Sequence, residues 1–229
     1  MPTTSLPICT KPSKPPSTKH RMSTPEKHAL APEKMAGVGA GLVGSLWALM
    51  LAQRGHHVDV FERRPDPRTG AYKGGRSINL ALSDRGWRAL EKAGIADAVR
   101  EIALPITHRT MHATDGTLTR QPYGLPEAQG KFDDPQCIYS VSRALLNRLL
   151  VEESEKHAQV TYRFDHRCVD IDLEANELTL DNGGDQTHAQ AFDRIFGTDG
   201  AFSAVRDRLM RTDRFDFAQR YLTLSLIHI

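Results

Sequence analysis

Residues 34–64 read KMAGVGAGLVGSLWALMLAQRGHHVDVFERR. A short, weakly apolar strand over 34–38 breaks into GAGLVG, a G-x-G-x-x-G made of Gly39, Gly41 and Gly44. The spacing predicts a helix from about Leu42 to Arg54, with Gly55 as the residue that ends it. His57 to Phe61 read as a second strand with Glu62 at its end, 18 residues after Gly44. On its own a G-x-G-x-x-G is weak. Set between a strand and a helix, with an acid at this distance, it reads as a dinucleotide site.

Each part has a physical reason. Gly39 permits the tight turn, and Gly41 lets a pyrophosphate approach the backbone. Gly44 allows the helix to pack closely on the sheet, while the free N–H groups and dipole of the helix start favour phosphate. Glu62 is placed to accept hydrogen bonds from ribose hydroxyls. The motif alone does not choose between NAD and FAD.

Downstream, residues 74–86 read GGRSINLALSDRG, where Arg76, Ser77 and Asn79 interrupt an apolar run. Ser83 is placed to cap a helix reaching about Ala93, with Gly94 ending it. THRTMHATDGTLTRQ, 107–121, alternates around Asp115-Gly116 and reads as a hairpin. CIYSVSRALLNRLLVEESEK, 137–156, reads as a brief strand, Ser142 as N-cap, and a helix with Leu145, Leu146, Leu149 and Leu150 as its apolar stripe. Val160, Tyr162 and Phe164 alternate as a strand. Val169, Ile171 and Leu173 do the same, and Leu178 and Leu180 continue the pattern after a turn. The expected fold is α/β with an antiparallel insertion, not a plain doubly wound sheet.

Composition sets the bounds. With 229 residues, 39% hydrophobic and 25% charged, the chain is long enough for one sizeable core or one domain and part of a second. Residues 1–35 hold six Lys/Arg and two Glu, a net +4 in a chain of +2, so the remainder stands at −2. That leaves no basic face to call for nucleic acid. The same leader holds seven of the thirteen prolines and reads as disordered over 1–33. Its basic, acid-poor character suits an organelle transit peptide, but the prolines spoil the amphipathic helix; the other reading starts the protein near Met22. Cys9, Cys137 and Cys168 form no CxxC, and the ten histidines show no ligand spacing, so neither a disulfide framework nor a metal site is expected. No run of eighteen apolar residues is present to span a membrane.

RIFGTDGAFSAVRDRL, 194–209, places Asp199-Gly200 after an apolar strand, then Ser203 and Arg206 on a new short helix. Alone this is an everyday Asp-Gly turn. With the glycine motif it resembles the class A flavoprotein aromatic hydroxylases, the family with the para-hydroxybenzoate hydroxylase fold. GRSINLALSDRG, PITHRTMH, QPYG, SVSRALLNRLL, FDHR, TDGAFSAVR and RFDFAQ extend the likeness from about Lys34 to Tyr221 and narrow it to the kynurenine 3-monooxygenase branch. The implied cofactor is FAD, with NADPH and O2 as co-substrates and L-kynurenine as the ring hydroxylated to 3-hydroxykynurenine.

The resemblance also implies roles. Cofactor contacts map onto Val43, Phe61, Glu62, Arg63, Arg64, Ala81 and Arg143, and Asp199 joins them in the segment that serves FAD and the nicotinamide. Cys168 maps as a backbone contact, its thiol not expected to react. Substrate carboxylate recognition maps onto Arg109 and Tyr123; by spacing alone these read as an exposed strand arginine and a turn aromatic. No side-chain acid or base and no metal is implied for catalysis.

The expected organisation is an FAD-binding domain with the start of a substrate domain over 34–222. The ending LTLSLIHI departs from the family pattern, so 223–229 is expected to be an atypical, truncated tail. A chain cut there would show little hydroxylase activity. Two other readings stay open: another flavin or nicotinamide oxidoreductase of the same fold, or a non-catalytic dinucleotide-binding remnant. The expected compartment is a bacterial-like cytoplasm, or the mitochondrial outer membrane for a eukaryotic member.

Overall fold

A computed structural model describes residues 31–69, 79–123, 138–184, 187–213 and 215–218. The expected leader as far as residue 30, residues 74–78 of the GGRSINLALSDRG stretch and the tail from 219 lie outside these. In chain order the elements are β1 (Lys34–Val38), α1 (Leu42–Ala52), β2 (His57–Phe61), β3 (Asn79–Leu82), α2 (Asp84–Lys92), α3 (Ala96–Ile102), β4 (Leu104–Ile106), β5 (His108–His112) and β6 (Leu118–Pro122). Then come β7 (Ile138–Ser142), α4 (Arg143–Glu155), β8 (Val160–Arg163), β9 (Arg167–Asp172), β10 (Glu177–Asp181), β11 (His188–Ala191), β12 (Arg194–Gly197), a 3-10 turn (Gly200–Phe202) and α5 (Ala204–Met210). The chain divides into two compact units. One joins Pro32–Lys73 to Leu150–Ile229, and the other contains Gly74–Leu149.

The first unit is built on a parallel sheet in the order β12-β1-β2-β8. β1 lies between two parallel neighbours, with Ala36 opposite both Ile195 and Asp59. Its residues alternate between two cores. Met35 packs with Ala48, Leu51 and Ala52 of α1 and with Val58 and Val60. Ala36 and Val38 pack with Cys168, Ile171, Leu178, Leu180, Phe192 and Val205. The sheet is therefore covered on one face by α1 and on the other by the antiparallel sheet β11-β10-β9 together with α5. Both faces being buried explains why β1 is apolar nearly throughout rather than alternating.

α1 stops two residues before the expected Arg54. Gly55 N–H donates to the Ala52 carbonyl at 2.9 Å and His56 N–H to the Leu51 carbonyl at 3.2 Å, the Schellman closure that a left-handed residue (Gly55, φ +90°) permits. The same pair of bonds closes α2 at Gly94, as its sequence suggests. The expected alternation of Val169, Ile171 and Leu173 is not observed. A register shift between Thr179 and Leu180 leaves Val169 unpaired, so Cys168 and Ile171 point into the core while Val169 and Leu173 stay exposed. A β-bulge resets the side-chain period, which no alternation count anticipates.

The second unit holds the antiparallel sheet β3-β7-β4 and the separate hairpin β5-β6. Its core gathers Trp87, Leu90, Ile95, Ala96, Val99, Ala103 and Val141. Trp87 meets Tyr139 edge-on at 5.1 Å, with the Arg100 guanidinium 5.3 Å from the Trp87 ring centre. The hairpin turn forms where Asp115-Gly116 places it, and Asp115 Oδ1 accepts the Thr117 N–H at 2.9 Å. Helix α4 contributes residues to both units. Its buried stripe is Leu146, Leu150, Val151 and Ser154, whereas Leu145 is half exposed. The stripe is thus rotated from the expected one: positions 146, 150 and 154 share a face, and Leu145 lies about 100° away from it.

Candidate functional site

The first unit brings two distant motifs together at one end of the parallel sheet. Where β1 ends, Gly39 takes φ +102°, and its N–H donates to the Phe61 carbonyl at 2.7 Å. A Cβ on Gly39 would lie 2.8 Å from both Asp199 Cα and the Thr198 carbonyl oxygen, so only glycine fits. Thr198 N–H donates to the Val38 carbonyl at 2.8 Å, and Thr198 Oγ1 lies 2.9 Å from the carbonyl oxygens of both Val38 and Gly39. Gly44 is equally constrained: a Cβ there would come 1.9 Å from the Gly39 carbonyl oxygen. The glycine turn and the TDG segment, 160 residues apart, are one structure.

Gly41 differs. It occupies the N-cap of α1, no side chain caps that helix end, and the first turn contains no acid. A Cβ on Gly41 would meet nothing within 4 Å. Val43, in the same turn, is exposed. An uncapped, acid-free helix start beside open space suits a diphosphate, which accepts N–H bonds and is favoured by the dipole. A nucleotide diphosphate such as that of FAD fits these residues.

Glu62 closes the side of the turn. It is buried, with Oε2 accepting the Ala40 N–H at 2.9 Å and Oε1 accepting the Arg64 N–H at 3.0 Å and the Arg64 Nε at 2.9 Å. Burial works to raise its pKa, but the hydrogen bond and charge of Arg64, with the two backbone N–H groups, outweigh that and hold the carboxyl below its ordinary value. Glu62 is ionised and partly committed to the turn; a carboxylate has further lone pairs for ribose hydroxyls. Phe61 is buried against Phe192, ring centres 5.8 Å apart, while Arg63 and Arg64 are exposed.

Asp199 is turned onto the start of α5. Its Oδ2 accepts the Ala204 N–H at 2.6 Å and its Oδ1 the Ser203 hydroxyl at 2.5 Å. Ser203 caps the helix by accepting the Arg206 N–H at 2.9 Å, and the Arg206 guanidinium returns to the carbonyls of Gly200 and Ala201. The D-G-x-x-S-x-x-R segment is thereby self-locked. Cys168 lies in the core beneath. Burial first, then the charges of Asp199 and Asp170, push its thiol up to about 11, so it is no nucleophile at neutral pH.

The second unit holds Ala81, Arg109, Tyr123 and Arg143. Along β3, Asn79 and Ala81 are exposed while Leu80 and Leu82 are half-buried. Ser83 stands at the N-cap of α2, but its hydroxyl makes no capping bond; Asp84 in the first turn supplies the favourable charge. Arg143 is exposed at the start of α4, where Ser142 Oγ accepts the Leu145 N–H at 3.5 Å. Arg109 pairs with Gln121 across the hairpin and donates Nε to Gln121 Oε1 at 2.8 Å. Tyr123 N–H donates to the Thr107 carbonyl at 2.9 Å, extending the ladder by one pair. Thr107 and Tyr123 lie two residues from Arg109 and Gln121, so the register puts Arg109 and Tyr123 on one face.

Three contributors were not singled out by sequence: Thr198, Gln121 and Ser45. Thr198 precedes Asp199 with no pattern of its own. Ser45 is a lone hydroxyl in an apolar helix, and that is a signal for a buried partner. Among the described residues no His/Cys/Asp/Glu cluster could hold a metal, and no helix is long and apolar enough to cross a membrane.

The chain is 44% identical over 192 residues to a kynurenine 3-monooxygenase from Christiangramia forsetii, an alignment covering 83% of this chain and 41% of that protein. It is 40% identical to the kynurenine 3-monooxygenase of Anopheles gambiae, over 83% of this chain and 38% of that one. It thus spans about two fifths of the length of the curated relatives it matches. Among solved structures, the flavin-dependent monooxygenase PieE, crystallised with FAD and substrate, superposes with a TM-score of 0.66 at 24% identity, over 79% of this chain and 33% of that one. That likeness carries the fold: α/β, Rossmann-like, with antiparallel additions. Residues 35–222, nearly all of the described structure, match the FAD binding domain family. The chain belongs to the FAD binding domain family, and its cofactor is FAD.

Proposed function

We propose that this chain is the FAD-cradling portion of a kynurenine 3-monooxygenase, which hydroxylates L-kynurenine to 3-hydroxykynurenine using NADPH and O2. The observation that carries the reading is the joining of GAGLVG to TDGAFSAVR through Thr198 and Gly39. The relatives at 40–44% identity support the choice of substrate. FAD, when bound, supplies the redox and oxygen-transfer chemistry. In this reading Gly39, Gly41, Val43 and Gly44 receive its diphosphate, and Phe61, Glu62, Arg63 and Arg64 its adenosine end. Cys168 contributes backbone, while Ala81, Arg143 and Asp199 contact the rest.

Arg109 is the group that binds the amino-acid carboxylate, its planar guanidinium suited to two parallel hydrogen bonds, with the Tyr123 phenol adding another. Their common face on the hairpin supports the pairing. Residues 34–222 form the FAD-binding domain and the start of the substrate domain. The bacterial relative at the higher identity supports a cytoplasmic, bacterial-like setting.

The test is a titration of the purified chain with FAD, followed by flavin fluorescence, and then of the flavin complex with L-kynurenine, followed by absorbance. Binding of FAD, with a kynurenine-induced change that Arg109→Ala abolishes, supports the reading. FAD binding with no response to kynurenine overturns the substrate assignment.

A further inference from the structure

Ala40 is held on both sides. Its N–H donates to Glu62 Oε2 at 2.9 Å, and its carbonyl oxygen lies 3.3 Å from Ser45 Oγ. Both holders are shielded from water: Ser45 is fully buried and Glu62 is 6% exposed. A serine inside a helix ordinarily returns its hydroxyl to a carbonyl three or four residues back. Ser45 reaches five back, beyond the helix, into the glycine turn itself, while its own N–H takes the Gly41 carbonyl at 2.9 Å.

The consequence follows from peptide geometry. The Ala40 carbonyl and the Gly41 N–H belong to one planar trans peptide and point in opposite directions. Drawing the carbonyl inward to Ser45 therefore turns the Gly41 N–H away from Ser45, and the space beside Gly41 is open.

Ser45 is supported in turn. Its neighbour is the Tyr162 phenol, which burial pushes up while the hydroxyls of Ser154 and Ser45 act the other way. Tyr162 Oη lies 2.7 Å from Ser154 Oγ, which also lies 2.9 Å from the Val151 carbonyl. The Ser154 proton serves Val151, leaving its oxygen to accept from Tyr162. The Ser45 proton goes to the Ala40 carbonyl.

We infer that Ser45 is a positioning residue for the cofactor: through the Ala40 carbonyl it aims the Gly41 N–H at the diphosphate. This rests on the reading of the glycine turn as the FAD diphosphate site. The Tyr162–Ser154 pair does not hold the Ala40 carbonyl, so the two have separable effects.

Three forms of the chain decide it: wild type, Ser45→Ala and Tyr162→Phe. Each is measured for FAD affinity by flavin fluorescence, for melting temperature, and for amide hydrogen exchange over residues 39–46 without ligand. The expected result is FAD binding weakened about tenfold in Ser45→Ala, with faster exchange in the turn. Tyr162→Phe, which breaks the pair with Ser154 and leaves the Ser45–Ala40 bond in place, is expected to lower the melting temperature yet keep affinity within about twofold and exchange unchanged. Equal affinities in wild type and Ser45→Ala overturn the inference. So do losses in both variants that track their melting temperatures, which mark a purely structural serine. Failure of the wild type itself to bind FAD overturns the functional reading instead, and the exchange data then still decide whether Ser45 orients the turn.

Discussion

Glu62 and the three glycines of the turn are single residues whose effects can be separated. The Glu62 carboxyl is held below its ordinary value of 4.5 in the folded chain, so the folded state binds fewer protons than the unfolded one. Its contribution to stability is present in full above pH 4.5 and is lost as pH falls through the lower folded value. Melting temperatures across that window are expected to fall more steeply for wild type than for Glu62→Gln, which has no charge to lose. Gly41 and Gly44 separate fold from function. Gly44→Ala places a methyl against the backbone oxygen of Gly39, a clash at 1.9 Å that side-chain motion cannot relieve. Its cost is at least the roughly 1–3 kcal/mol of core overpacking, read in chemical denaturation. Gly41→Ala meets no neighbour and is expected to leave the midpoint within about 0.5 kcal/mol of wild type. On the proposed reading of the turn it is expected to weaken FAD binding tenfold or more, measured by flavin fluorescence, because the methyl would occupy the approach of the diphosphate.

Among the elements, α5 is short and depends on its cap. With seven residues it has little stability of its own, and Ser203 Oγ meets one of its free N–H groups while Asp199 meets another. Ser203→Ala is expected to cost about 1 kcal/mol and to loosen the TDG segment with it, measured as a lower denaturation midpoint and faster exchange at Asp199–Val205. The sequence placed Ser203 on this helix rather than at its cap, but it carried the Schellman ends at Gly55 and Gly94 and the hairpin turn at Asp115-Gly116, because such closures are chemistry between near neighbours. Other elements were legible only in outline. The stripe of α4 rotated by one position, and the β9 alternation failed at Val169. Both depend on what lies across the interface, which spacing along the chain does not record.

For the molecule as a whole, the first unit is a parallel sheet covered on both faces, and Cys168 reports on the integrity of one of those cores. In a Cys9→Ser/Cys137→Ser background, Cys168 is expected to react with a thiol reagent at pH 8 only at the rate of global unfolding, since burial both shields it and keeps it protonated. Labelling within minutes at a temperature well below melting would show that the β9–β11 side opens separately. By itself the sequence determined the strand–turn–helix–strand of residues 34–61, its glycines and acid, and the hairpin that carries Arg109, since these rest on backbone conformation and local periodicity. Only the tertiary structure decided that Thr198 and Asp199 close the glycine turn, that Glu62 faces Ala40, and that Ser45 reaches the Ala40 carbonyl from behind it. Those contacts join residues from 5 to 160 positions apart, through the pairing of β1 with β2 and β12 and the packing of α1 on the sheet. Such pairings depend on which apolar faces bury one another, a property of the packed whole.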